Sequence, residues 1–127
     1  MIEGIDSSPE MIAAAADVPR VSFAVGDAAD WQPAGDVDVV VSNAALQWIP
    51  RHQELMAKWA SALPCGGWLA VQVPGNFDSP SHALMRSLAD NARWSPALHT
   101  VVPYTDAVGA PESYAALLLD AGLVADV

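Results

Sequence analysis

Apolar residues come in short blocks separated by polar turns, and the period changes from block to block. Met1 to Asp6 reads as a short strand tail. Ser7-Ser8-Pro9-Glu10 then opens a helix, with Ser8 as N-cap and Pro9 at the first helical position, or with Ser7 and Glu10 as a capping box. Met11, Ile12, Ala15 and Ala16 give that helix an apolar side, and Pro19 ends it. Val21 to Val25 is the second strand, closed by Gly26-Asp27. Val37 to Ser42 is almost uniformly apolar and β-branched, the pattern of a strand covered on both faces in a parallel sheet.

A helix follows from about Arg51 to Leu63, with Leu55, Met56, Trp59 and Leu63 along one side and Pro64-Cys65-Gly66-Gly67 as its stop. Trp68 to Val73 is the next apolar strand, and Ser81 to Asn91 the next helix. A Pro-containing connection runs to about Pro111, Glu112 to Ala121 is the last helix, and Leu123 to Val127 reads as a strand. Strands alternating with helices predict an α/β fold with an open parallel sheet. Ligands in such sheets bind at the carboxyl ends of the strands. The polar residues ending these strands are Asp6, Asp27, Asn43 and Asn76, so a cofactor cleft along one sheet edge is the natural expectation.

Composition narrows the chemistry. The chain has 127 residues, 53% hydrophobic, enough for one domain with a core and too apolar for disorder. Five basic against fifteen acidic residues give a net charge of −10, which argues against nucleic acid and anionic membrane surfaces as partners. One cysteine, Cys65, permits no intrachain disulfide, and a cytoplasmic location is expected. No apolar run approaches a membrane span of roughly 20 residues, and the start has no signal-peptide pattern. His52, His82 and His99 are scattered without metal-ligand spacing, so no metal is expected. Cys65 in a helix-stop turn is a poor nucleophile candidate, and no G-x-S-x-G accompanies it.

The stretches GIDSSPEM, GDAADW, DVVVSNAALQWIP, GGWLAVQVPGNFDSPSH and YAALLLDAGL resemble the trans-aconitate methyltransferase family, among the class I S-adenosylmethionine-dependent methyltransferases. The resemblance implies a Rossmann-like sheet and S-adenosylmethionine as cofactor. It implies that Asp6, with Ser7 beside it, takes the ribose hydroxyls. Asp27 would accept from the adenine amino group, with the Ala28 N–H facing the ring, and Asn43 would lie near the methionine part. The chemistry agrees, since carboxylates accept and hydroxyls and amines donate. For a small carboxylate substrate the candidates are Asn76, His82 and Arg86; the last two are four apart and share a helix face. No catalytic base is expected.

The family pattern begins with a strand and a D-x-G-x-G loop, which this sequence does not carry, and continues past its last residues. Residues 1–127 therefore read as a partial methyltransferase domain, without the first strand, glycine loop and last strands. The absent strand belongs between the Asp6 strand and the Val37 to Ser42 strand. A nicotinamide-binding reductase also places an acid after its second strand. Against it, no glycine-rich fingerprint precedes Asp6, the gap from Asp27 to Asn43 is too short for a helix, and Lys58 is the only lysine. A non-catalytic remnant acting by association is the alternative from another class.

Overall fold

The computed structural model describes residues 1–15, 18–98 and 108–126. Its elements are β1 (Ile2–Asp6), α1 (Pro9–Ala14), β2 (Val21–Val25), β3 (Val39–Asn43), a 3-10 turn (Leu46–Trp48), α2 (His52–Ala62), β4 (Trp68–Gln72), α3 (Pro80–Ala89), α4 (Ser95–Leu98) and α5 (Pro111–Asp120). The strands form two separate parallel pairs, β1 with β2 and β3 with β4, rather than the single open sheet expected. In the first pair Asp6 stands opposite Val25, and in the second Asn43 stands opposite Gln72. Each pair is one βαβ unit, so both strands of a pair end on the same side. Among the described residues no strand joins β1 to β3.

The first unit is thin. Ser8 caps α1, its hydroxyl accepting from the Met11 N–H at 3.2 Å, with Pro9 in the first turn. The helix stops sooner than the Pro19 expected, because Ala15 already has extended backbone (φ −62°, ψ 131°). Ala16, assigned to its apolar face, lies outside the described residues. Gly4 of β1 lies under the Phe23 ring of β2; a Cβ there would meet ring carbons at 2.8 and 2.9 Å.

The core sits in the second unit. Val40, Leu46, Leu55, Met56, Trp59 and Tyr114 form one buried cluster between β3, α2 and α5. Their positions follow the helical period: His52, Leu55, Met56, Trp59 and Ala60 make the buried side of α2. Arg51 begins the helix in left-handed backbone (φ 60°) and pairs with Glu54 through two short bonds. Trp31 packs edge-on against Trp59 at 5.5 Å, and the Trp59 Nε1–H donates to the Trp31 carbonyl at 3.0 Å. Ala28, Trp31 and Val37 all pack on this cluster, so the loop from β2 to β3 ties the first unit to the second.

Several expectations are corrected. β3 is covered on one face only: Val40 is buried, whereas Val39 and Val41 are 53% and 73% exposed. Trp48 is 70% exposed. Residues 123–126 form no strand. Gly122, at φ 82°, reverses the chain there, and the Leu123 N–H turns back to the Leu118 carbonyl at 3.0 Å to close α5. The connection before α5 contains the one-turn α4, and its residues 99–107, His99 included, lie outside the described residues. No helix among the described residues is long and apolar enough to cross a membrane.

Candidate functional site

The carboxyl end of the first strand pair carries two acids in the same local geometry. Asp6 ends β1 and lies exposed; its Oδ1 accepts from the Ser8 N–H at 2.8 Å. Asp27 follows β2, and its Oδ1 accepts from the Ala29 N–H at 2.8 Å. Each carboxylate thus uses one oxygen to hold its own turn. Among the described residues no group donates to the second oxygen of either acid. The Gly26 N–H donates to the Asp6 carbonyl at 3.0 Å, which carries the β1–β2 ladder up to these two acids. Ser7 lies exposed in the turn after Asp6, and Ala28 is half-buried against the core, so Asp27 stands beside an anchored residue.

Asn43 ends β3 and is exposed. The next residue, Ala44, is in left-handed backbone (φ 50°), unusual for a residue with a Cβ. Two bonds hold it there. Its N–H donates to the Gln72 carbonyl at 2.9 Å, and its carbonyl accepts from Gln47 Nε2 at 2.7 Å. Backbone held in a sparsely populated region concentrates at binding and catalytic sites. Gln47 Oε1 is buried with no hydrogen-bond partner among the described residues. Sequence reasoning passed over Gln47; the available signal was its place three residues after Ala44, inside the SNAALQW stretch.

The three residues assigned to the substrate gather after β4. Asn76 is exposed, and its carbonyl accepts from the Ser79 N–H at 3.0 Å. His82 Nδ1 lies 2.9 Å from Ser79 Oγ, and the ring meets Phe77 edge-on at 6.0 Å. Arg86 donates from Nη1 to the Phe77 carbonyl and from Nη2 to Asp78 Oδ1 at 3.3 Å. His82 and Arg86 do share one side of α3, and that side grips the turn at residues 76–79 rather than facing open solvent. Arg86 is 22% exposed and Asp78 91% exposed. The guanidinium is therefore partly committed to the chain, with an accessible acid as its partner.

The structure brings Asp6 and Asp27 together at one strand-pair end, and Asn76, His82 and Arg86 together around Phe77. Among the described residues no strand pairing or hydrogen bond links the first group to Asn43 or to the second group. No group of three or more His, Cys, Asp or Glu side chains among the described residues is arranged to hold a metal ion. Cys65 is exposed and free.

Residues 1–71 match a family profile described as a methyltransferase domain. Over almost its whole length the chain is also similar to proteins named trans-aconitate 2-methyltransferase. It is 52% identical to that of Mycobacterium sp. (strain KMS), with 99% of this chain and 50% of that protein covered. It is 51% identical to that of Rhodococcus jostii (strain RHA1), over 99% of this chain and 50% of that protein. For Mycobacterium tuberculosis (strain ATCC 25177 / H37Ra) the identity is 47%, over 100% and 49%. The chain spans about half the length of these relatives. The matched profile takes in both acid-bearing turns, the strained Asn43-Ala44 corner, all of α2 and most of β4, and on that match the chain belongs to the methyltransferase domain family.

Proposed function

We propose that this chain is the part of an S-adenosylmethionine-dependent methyltransferase that binds the nucleoside of the cofactor, in an enzyme that converts a carboxylate of a small polycarboxylic acid to its methyl ester. One observation carries the reading. Asp6 and Asp27 stand at the carboxyl ends of paired strands, each with one oxygen fixed by its turn and one available. Ribose hydroxyls and an exocyclic amine are donors that match such acceptors. The pair of acceptors therefore fits the nucleoside end of S-adenosylmethionine. When bound, that cofactor supplies a methyl group activated by a sulfonium.

The chain's own residues would orient rather than react. Asp6, with Ser7 beside it, holds the ribose, Asp27 with Ala28 holds the adenine, and Asn43 stands by the methionine part. Asn76, His82 and Arg86 supply amide and cationic groups for an acidic substrate in a chain of net charge −10. A carboxylate acceptor is already ionised at neutral pH, so no side chain has to remove a proton. Alignment of the reacting atoms is the main source of rate, and such positioning contributes up to roughly 7–11 kcal/mol. A small-molecule enzyme of this kind is expected in the cytoplasm.

The test joins the chain to the parts of the strain KMS relative that lie outside the matched half. The chimera is expected to bind S-adenosylmethionine by calorimetry and to form a methyl ester from trans-aconitate, whereas the 127 residues alone do neither. A folded chimera that binds no cofactor overturns the reading. One that binds cofactor and leaves polycarboxylates unmethylated overturns the substrate assignment only.

A further inference from the structure

The corner after β3 is held from two sides. Asn43 ends that strand, and Ala44 beside it stands in left-handed backbone (φ 50°), which a Cβ disfavours. On one side the Ala44 N–H donates to the Gln72 carbonyl of β4 at 2.9 Å. On the other, Gln47 Nε2 donates to the Ala44 carbonyl at 2.7 Å. Gln47 belongs to the 3-10 turn Leu46–Trp48, and Leu46 anchors that turn in the core at 0% exposure. The amide has one orientation only, because turning it over would set Oε1 against the Ala44 carbonyl oxygen. In that orientation Oε1 is buried, and among the described residues nothing donates to it. A buried acceptor without a donor lowers stability. Ala44 is exposed, so without Gln47 its carbonyl would bond to water instead. Gln47 thus fixes the corner without stabilising the fold.

We propose that Gln47 is a positioning residue for the methionine end of S-adenosylmethionine: by pinning Ala44 it sets the direction in which Asn43 leaves β3. This role rests on the cofactor reading of the chain and not on its carboxylate substrate. Among the described residues no other side chain bonds to the Ala44 backbone. The nucleoside contacts lie elsewhere. Asp6 and Asp27 belong to the first strand pair, and among the described residues no strand pairing or hydrogen bond links them to Asn43. Gln47 therefore acts on one end of the cofactor only. The sulfur and its methyl belong to that end, so fixing it also fixes the line of transfer.

Calorimetry on the chimera with two ligands tests this role. 5′-Methylthioadenosine has the nucleoside and thioether of the cofactor but no amino-acid part. Gln47→Met keeps an unbranched side chain of similar size and removes both the donor and the buried acceptor. It is expected to weaken S-adenosylmethionine about tenfold and to change 5′-methylthioadenosine by less than about twofold. The urea midpoint of the variant should equal or exceed the parent's, because no buried acceptor is left unpaired. Ala44→Gly added to Gln47→Met is expected to return about threefold of the lost affinity, since glycine takes left-handed backbone freely. A lower urea midpoint, or a variant that does not fold, would make Gln47 a structural residue and overturn the proposal. Equal weakening of the two ligands, or of neither, overturns it too. A folded parent chimera that binds no S-adenosylmethionine overturns the cofactor reading, and this role with it.

Discussion

His52 Nε2 lies 2.7 Å from the Tyr114 hydroxyl, joining α2 to α5 across 62 residues of sequence. The rings stack at 5.8 Å with 18° between their planes. His52 Nδ1 faces the Ile49 carbonyl at 3.3 Å, so the partners assign the proton to Nδ1 and leave Nε2 to accept from Tyr114. Tyr114 Oη in turn accepts from the Gly109 N–H at 3.1 Å. Each polar atom in this buried chain has its complement.

Tyr114→Phe takes the donor from His52 Nε2 and the acceptor from Gly109. Leaving a buried group unpaired costs about 1–3 kcal/mol, so a loss in that range is expected in urea unfolding. His52→Leu added to Tyr114→Phe should recover part of it, because neither member is then stranded. A single variant as stable as the parent would mean that water takes over the bond.

Asp6→Asn separates the two jobs of this residue. The amide oxygen still accepts from the Ser8 N–H, so the turn and α1 survive. The charge is lost, and bonds to a charged acceptor contribute about 1.5–3 kcal/mol. Calorimetry on the chimera should show S-adenosylmethionine binding weakened about tenfold or more, which corresponds to about 1.4 kcal/mol. Undiminished affinity would leave Asp6 as a turn residue alone.

Arg86 and Asp78 make opposite predictions for an acidic substrate. Arg86→Ala is expected to raise the chimera's KM for a tricarboxylate about tenfold, with a smaller effect on kcat. Asp78→Ala frees the guanidinium from its 3.3 Å partner and should lower KM. Steady-state kinetics on both variants decide it: if they shift KM in the same direction, or not at all, Arg86 only braces the Phe77 turn.

The pH dependence should be flat near neutrality. A carboxylate acceptor with an ordinary pKa stays ionised above about pH 5, and no base is called on. His52 is engaged with Tyr114, and His82 with Ser79. His82→Gln should retain kcat. A rate that falls to zero through one ionisation between pH 6 and 8 would show that a base has been overlooked.

Local signals determined most of what was legible in the sequence. Ser8-Pro9 specified the start of α1, Gly66-Gly67 the stop after α2, and the β-branched run Val39-Val40-Val41 a strand, because caps, turns and strand preference act within a few residues. The positions of Asp6 and Asp27 were legible for the same reason: an acid that ends a strand, or follows it within two residues, lies at its carboxyl end. Tertiary contacts decided the rest. A strand's apolar pattern states that its side chains suit burial, not what covers them, so Val39 and Val41 read as buried and lie open. Leu123 to Val127 has strand composition, but a strand needs an edge to join, and Gly122 turns Leu123 back onto α5. The His52–Tyr114 bond joins residues brought together only when α2 and α5 pack, and the committed guanidinium of Arg86 depends on the turn before α3 folding back along that helix, a course no local period encodes.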